Sequence, residues 1–537
     1  MSKPKPELTR ALLPFDKVPQ LSERDLAYAT ADSRLKPFFK YPAKLEAFRD
    51  ILKDKQFDQE RRSTLVKVLT EQYKDKTTSK LTGKRIEALG RANTFTVTTA
   101  HQPSLFTGPL YYIYKIISTL NLATQLDKAY PDYEFVPLFI TGGEDHDFEE
   151  VNHLQVFGKT IAWENEHSGP VGKMPLDGLQ EALDTLIEIL GDSANAQELT
   201  EILKASIAGK ECYSQVAFDL THRLLGAYGL VILDPSHPDL KASFAPFIEK
   251  EIFEQPSKAI VEATVRELEA AGFSEQAYPR DINFFYLGKG YRERIVQEGE
   301  LFKVLNQDIS WTKADLQNEI RANPERFSPN VVMRPIYQEF ILPNLAYIGG
   351  GGEIAYWLER KQQFEAFNLN FPMLIRRNSV LFVDKGTKKR LSKLELSVED
   401  MFGDIEKLIK EYVRKHTENE ISLTEEKKIL AELFKKVEAK AKEVDPTLKK
   451  AAAAEGARQL NSLGQLEGKL MRAEKQRHDT AVGQMRTLKD KLFPGNGLQE
   501  RYDNFMMYYL KYGRGFFEAL IDHLDPLDNH FVVLIDQ

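Results

Sequence analysis

"NTFTVTTAHQPSLFTGPLYYIYK" (residues 93–115) changes texture twice within one short stretch. Residues 93–100 are β-branched and aromatic, the composition of a buried strand. A polar loop follows, holding His101, Gln102, Thr107 and Gly108, and Pro109 then stands where a first helical turn accepts proline. Leu110, Ile113, Ile117 and Leu120 recur at helical spacing. After this strand, loop and helix comes "YEFVPLFI" (133–140), a second apolar strand, so the three form a βαβ crossover long enough for a parallel pair.

Working outward, "YGLVILDPS" (228–236), "LAYIGG" (345–350, leading into a helix), "FPMLIRR" (371–377) and "SVLFVD" (379–384) read as further strands. A doubly wound α/β fold with a parallel-sheet core is the economical assembly. Upstream, residues 1–90 are charged and helically spaced, with Leu45, Phe48, Ile51 and Leu52 on one face, which predicts a helical segment packed on the core. Downstream of residue 385 the texture is charged helix. Leu430, Phe434, Val437, Ala441, Val444 and Leu448 step by fours and threes, as do Leu463, Leu466, Leu470 and Ala473, and again Ala481, Met485, Leu488 and Leu492. That is the seam of a coiled coil, and Asp445-Pro446 between the arms offers a cap and a helix start, so an antiparallel helical hairpin is expected. The chain closes with a helix ("FFEALIDHL") and a strand ("FVVLID") that returns to the core. The expected division is a helical segment at 1–90, an α/β core at 91–384, a coiled coil at 385–495, and a returning helix and strand at 496–537.

At 537 residues, 42% hydrophobic and 28% charged, the chain has the composition of a globular protein of two or more domains. Its net charge of -7 argues against a dedicated nucleic-acid binder. The single cysteine, Cys212, precludes an intramolecular disulfide and a Cys-based zinc site, which suits a reducing compartment. The opening "MSKPKPELTR" has no apolar signal region, and no apolar run is long enough to span a bilayer, so a cytoplasmic location with no membrane partner is expected.

Three strand-to-helix turns carry the candidate chemistry. At the first, helix-start N–H groups and the side chains of His101, Gln102 and Thr107, with Gly108 just before the helix, suit an anion. The second, "TGGEDHDFEEVNH" (141–153), sets Glu144, Asp145, His146 and Asp147 beyond a strand's carboxyl end, where acids hold an amine or Mg²⁺ and a histidine moves protons. The third, "IGGGGEIAYWLER" (348–360), lets the backbone at Gly350 and Gly351 approach a ligand beside Glu353, but matches neither G-x-G-x-x-G nor the P-loop. Arg334, Gln338, Arg376 and Arg377 lie beside strands, and arginine forks suit a doubly anionic substrate. Plainer readings stand beside these: helix-start turns with His101 a satisfied core residue, a solvated acidic loop, and surface ion pairs. A hydrolytic metal centre on His146, His153 and the acids is a further alternative, without a familiar ligand spacing.

"AHQPSLFTGPLYYIYKIIS", "GGEDHDFEEVNH", "RFSPNVVMRPIYQEFILPNLAYIGGGGEIAYW", "DPTLKKAAAAEGARQLNSLGQLEGKLMRAEK" and "LFPGNGLQER" occur in this order over nearly the whole chain. In them the sequence resembles the bacillithiol biosynthesis cysteine-adding enzyme family, a family of cysteine ligases. The resemblance implies a Rossmann-like core related to class I nucleotidyl-transferring ligases, with connecting insertions, and a coiled-coil domain that supports a homodimer. It also implies that the carboxyl of cysteine is joined to the amine of glucosaminyl malate. ATP is then the expected co-substrate, with Mg²⁺ as its companion and no firmly bound cofactor or metal. Under that reading the His101–Gly108 turn takes phosphate, Glu144, Asp145 and Asp147 orient the amine or Mg²⁺, and His146 takes the amine proton. Arg334, Arg376 or Arg377 receive malate, and the glycine turn admits sugar or nucleotide. A nucleotide-binding scaffold that recruits partners through its coiled coil is the alternative from another class.

Overall fold

The computed structural model describes residues 5–76, 78–417 and 421–537; the first residues of the opening stretch, 1–4, and residues 418–420 of the helical region lie outside the described residues. Two compact units are present, Met1–Phe382 with Gly497–Gln537, and Val383–Asn496.

In the larger unit, β1 (Thr94–His101), β2 (Glu134–Thr141), β3 (Val231–Leu233), β4 (Asn344–Gly349) and β5 (Met373–Arg376) form one sheet in the order β5-β4-β1-β2-β3. Every pair is parallel, and β1 registers on β2 residue for residue from Thr94 opposite Glu134 to His101 opposite Thr141. Val97, Leu138, Ala346 and Tyr347 are fully buried. Such strands are covered on both faces, which is why they read as continuous apolar runs and not as alternations. The helix Tyr111–Ala129 joins β1 to β2 and buries residues around most of its circumference.

The chain walks from β1 outward to β3 and then returns to lay β4 on the other side of β1. Where the winding reverses, the connections leave in opposite directions and a crevice opens beyond the carboxyl ends of the strands. The excursion between β3 and β4 contains an antiparallel sheet of Phe284–Gly288, Tyr291–Glu298, Leu301–Val304, Ser310–Trp311 and Phe327–Pro329.

The N-terminal segment corrects the expectation of a purely helical lead-in. Helices Glu23–Ala29, Phe48–Asp54, Gln59–Tyr73 and Lys80–Ala88 are in place, but Leu8–Pro14 is a strand. It pairs antiparallel with the C-terminal strand His530–Asp536, from Leu8 opposite Asp536 to Pro14 opposite His530, next to Val380–Val383. A strand whose partner lies at the far end of the chain leaves no helical or hairpin signature locally.

The smaller unit contains the helices Thr424–Val444, Leu448–Arg477 and Asp479–Leu492. The first two pack antiparallel, with Lys427 on Glu467 and Phe434 against Gly456, where an added Cβ would stand 2.9 Å from the ring. Asp445 accepts from the Thr447 N–H at 2.8 Å and stabilises the turn between the arms. The expected seam holds in part. Leu430, Phe434 and Ala441 are half-buried and Met485, Leu488 and Leu492 are buried, but Val437, Val444, Leu448 and Leu466 are exposed, and Met471 and Glu474 are buried where Ala473 was expected. Two helices cover one stripe of each other, so a 4-3 repeat wider than that stripe leaves apolar positions facing outward. Among the described residues, no helix is long and apolar enough to cross a membrane.

Candidate active site

The crevice at the winding reversal is a cavity of about 540 Å³. Its lining takes His101 and Gln102 from the end of β1, Gly142 to Asp145 from beyond β2, and Gly350, Gly352 and Glu353 from beyond β4. Arg334 and Gln338 on the helix Arg334–Ile341 and Arg377 just beyond β5 join them. The three turns therefore meet on one rim. The first two are tied together, because the Gly142 N–H donates to the His101 carbonyl at 2.7 Å and Gln102 Nε2 donates to Asp145 Oδ2 at 2.6 Å.

Along the wall, charges close in pairs. Glu353 accepts from Lys115 Nζ at 2.7 and 2.9 Å, from the Tyr347 hydroxyl at 2.5 Å and from the Gly350 N–H at 2.9 Å. Burial pushes this carboxyl up, but the Lys115 charge and these donors outweigh burial and hold it down at about 2. Arg377 Nη2 pairs with Glu500 at 2.8 Å, and both are buried. Glu144 pairs with buried Lys241 at 2.7 Å. His101 Nδ1 lies 2.8 Å from the Gln102 carbonyl, so it carries the proton, and Nε2, 3.2 Å away, accepts from the Tyr111 hydroxyl. Burial and the Lys115 charge pull this imidazole down to about 4, so it is neutral near pH 7.

The mouth differs. Arg334 donates to Gln338 Oε1 at 3.1 Å and to the Tyr356 hydroxyl at 2.5 Å, both neutral, and no carboxylate among the described residues lies within ion-pair distance of it. Its charge therefore has no counter-charge within that distance among the described residues. Asp145 faces Arg292 at 3.5 Å and is half-exposed. Arg501 and Glu150 also line the mouth, and neither side chain has a hydrogen-bond or ion-pair partner among the described residues.

Six expected site residues lie off the cavity lining. Thr107 and Gly108 are buried in a tight turn where Phe106, Thr107 and Gly108 all have positive φ. Its N–H groups are already engaged: Phe106 donates to the Tyr213 hydroxyl, Thr107 to the Ser104 carbonyl, Gly108 to Leu105 and Leu110 to Asp503. The expected anion cradle is closed by the chain itself. Asp147 caps the short helix Phe148–Val151 by accepting from the Glu150 N–H. His146 is exposed outside the lining, with Nδ1 3.1 Å from Arg292 Nη1. Arg376 is committed to Asp25 in a fork of 2.6 and 2.9 Å, and Gly351 is the residue that admits this pair, since a Cβ there would lie 2.2 Å from the Asp25 carboxyl carbon. Among the described residues no group of three or more His, Cys, Asp or Glu side chains gathers to hold a metal, so His146, His153 and the acids do not assemble the alternative metal centre.

The structure also adds residues that spacing did not single out. Lys115 and Lys241 are interior lysines on helices, indistinguishable by pattern from surface ones. Arg292 arrives on the strand Tyr291–Glu298 of the antiparallel sheet, and Arg501 from near the C-terminus. Tyr111 stood inside the opening stretch, and its place one residue into the helix was the available signal.

Residues 15–378 match the family model described as "Bacillithiol biosynthesis BshC, N-terminal Rossmann-like domain", and residues 380–535 match its "C-terminal coiled-coil domain". The chain is similar to proteins named "Putative cysteine ligase BshC" from several bacteria. In Flavobacterium johnsoniae the identity is 40% over 509 residues, covering 94% of this chain and 96% of the relative. In Christiangramia forsetii it is 38% over 515 residues, covering 95% and 96%. In Flavobacterium psychrophilum it is 36% over 523 residues, covering 97% and 98%. The α/β fold, with its all-parallel sheet, is thus Rossmann-like and is followed by a coiled-coil domain, and the chain belongs to the bacillithiol biosynthesis BshC family.

Proposed function

We propose that this protein is a cytoplasmic ligase that joins the carboxyl of cysteine to the amine of glucosaminyl malate, with ATP as co-substrate. The observation that carries the reading is Arg334, a cation held only by neutral partners in the cavity where the three turns meet. Malate brings two carboxylates, and a guanidinium without a competing protein carboxylate suits one of them. The names of the relatives support the ligase assignment.

Amide formation needs an activated acyl group. The cysteine carboxylate attacks the α-phosphorus of ATP and expels pyrophosphate. The amine nitrogen then attacks the acyl carbon, AMP leaves with the breaking C–O bond, and the amine proton passes to a base. Asp145, oriented by Gln102 Nε2 at 2.6 Å, is that base in place of His146. Neutral His101 positions the Tyr111 hydroxyl at the mouth. Glu144 and Asp145 are engaged by Lys241, Gln102 and Arg292, and Asp147 caps a helix, so these acids do not form a Mg²⁺ site by themselves.

The homodimer rests on the smaller unit, where Ile429, Leu433, Val437 and Val444 leave an exposed apolar stripe on one helix. Ile429→Asp with Leu433→Asp shifts sedimentation to the monomer; an unchanged sedimentation coefficient refutes this interface. For the ligase itself, purified protein is mixed with cysteine, glucosaminyl malate and ATP and every product is weighed by mass spectrometry. The amide and AMP are expected. Saturable nucleotide binding without product instead favours the scaffold.

A further inference from the structure

A second chamber of about 160 Å³ opens beside the main cavity and shares His101, Gln102, Tyr111, Glu150 and Arg501 with it. At about 30 Å³ per water it holds about five waters, the bulk of a small amino acid and far less than a sugar conjugate or a nucleotide. Its floor is apolar where Pro109, Val151 and Leu154 line it, and Val151 and Leu154 are buried. Its shared wall carries Glu150 and Arg501, a carboxylate and a guanidinium with no side-chain partner among the described residues, whereas the third open charge of the site, Arg334, lines the larger cavity alone.

We propose that this chamber is the subsite for the amino-acid substrate, with Arg501 receiving the α-carboxylate and Glu150 the α-ammonium. A zwitterion is the ligand that satisfies two unpaired opposite charges at once, and a guanidinium fork is shaped for a carboxylate. Because both residues also line the larger cavity, the carboxyl to be activated sits at the opening between the chambers, while the side chain rests on the floor. His153 lines the same chamber, with Nδ1 3.1 Å from Asn152 Oδ1. That carbonyl oxygen can only accept, so Nδ1 carries the proton and Nε2 is left to accept from a thiol. The Glu150 carboxyl is pushed up by burial and by the charges of Asp147 and Asp145, a repulsion that a bound ammonium relieves. Room on the floor is limited, so alanine, serine and cysteine fit and methionine or phenylalanine do not.

This assignment rests on the ligase reading for the identity of the amino acid, and a binding experiment separates the two. Calorimetric titration of the full chain with L-cysteine, cysteamine (no carboxylate) and 3-mercaptopropionate (no amine) is run on the wild type, Arg501→Gln and Glu150→Gln. Cysteine binds the wild type at least ten-fold more tightly than either truncated probe. Arg501→Gln removes the preference over cysteamine, and Glu150→Gln removes the preference over 3-mercaptopropionate. In turnover, each variant raises the KM for cysteine at least ten-fold and leaves the KM for the second substrate unchanged. Cysteine binding with this pattern but no amide product overturns the ligase reading and keeps the subsite. Turnover whose cysteine KM in both variants is unchanged from the wild type overturns the subsite. Both side chains reach solvent, so the variants fold; should Arg501→Gln not, Arg501→Lys, which keeps the charge and loses the fork, must raise the cysteine KM, and an unchanged value there also refutes the assignment.

Discussion

The wall of the cavity and its mouth use the same residue types to opposite ends. In the wall, Lys115 meets Glu353, Arg377 meets Glu500 and Lys241 meets Glu144, each cation buried and each charge closed by a partner. At the mouth, Arg334 and Arg501 are open cations and Glu150 an open acid. Closed pairs hold the turns in register, whereas open charges are what a ligand can complete. Arg376 and Arg377, adjacent in the chain, show how little position alone says: the first braces Asp25 away from the cavity and the second lines it.

The contrast breaks first at Arg377. Arg377→Met strands the Glu500 carboxylate, which is fully buried, and removing one partner of a buried pair costs about 3–5 kcal/mol. Urea unfolding should show that loss, and a loss below about 1 kcal/mol would mean the wall is not braced by its ion pairs.

Glu353 gives the next effect, and it depends on pH. Its carboxyl is held at about 2 against an ordinary 4.5, so the unfolded chain binds the proton first as pH falls. The stabilisation is complete above about pH 4.5 and is lost as pH falls towards about 2. The stability gap between wild type and Glu353→Gln, a few kcal/mol at neutral pH, should therefore shrink in urea titrations stepped from pH 6 to about 3. His101, held down at about 4 against an ordinary 6.5, stays neutral to about pH 5, which NMR of its imidazole nitrogens reads directly.

At the mouth the signs reverse. Arg334→Gln should raise the KM for glucosaminyl malate about 10- to 100-fold, the worth of a charged hydrogen bond, while the melting temperature moves little. A large fall in melting temperature with an unchanged KM would place Arg334 in the wall. The smallest of these effects is at Gly351, where Gly351→Ala forces Asp25 off its packing against the helix and costs about 1–3 kcal/mol in urea, without altering either KM.

The strands were legible because parallel-sheet residues are buried on both faces and so read as apolar runs: "NTFTVTTA", "YEFVPLFI" and "LAYIGG" each lie within a residue or two of β1, β2 and β4. The N-terminal strand Leu8–Pro14 was not, because its pairing partner is the C-terminal strand. The glycine turn at 349–352 and the acidic turn at 142–145 were legible as places near the cavity, since loops after parallel strands collect on one edge. Which of their residues face inward was not. Thr107 and Gly108 had the composition of an anion cradle, but Tyr213, Asn504 and Asp503, all distant in sequence, engage the backbone N–H and C=O groups of that turn.

By itself the sequence determined the strands of the parallel sheet, the helical hairpin and the three turns, because burial periodicity and turn chemistry are local properties. Only the tertiary structure decided which charges are paired and which are open. A salt bridge such as Arg377 with Glu500 is a fact of distance between remote segments, and no local pattern encodes it.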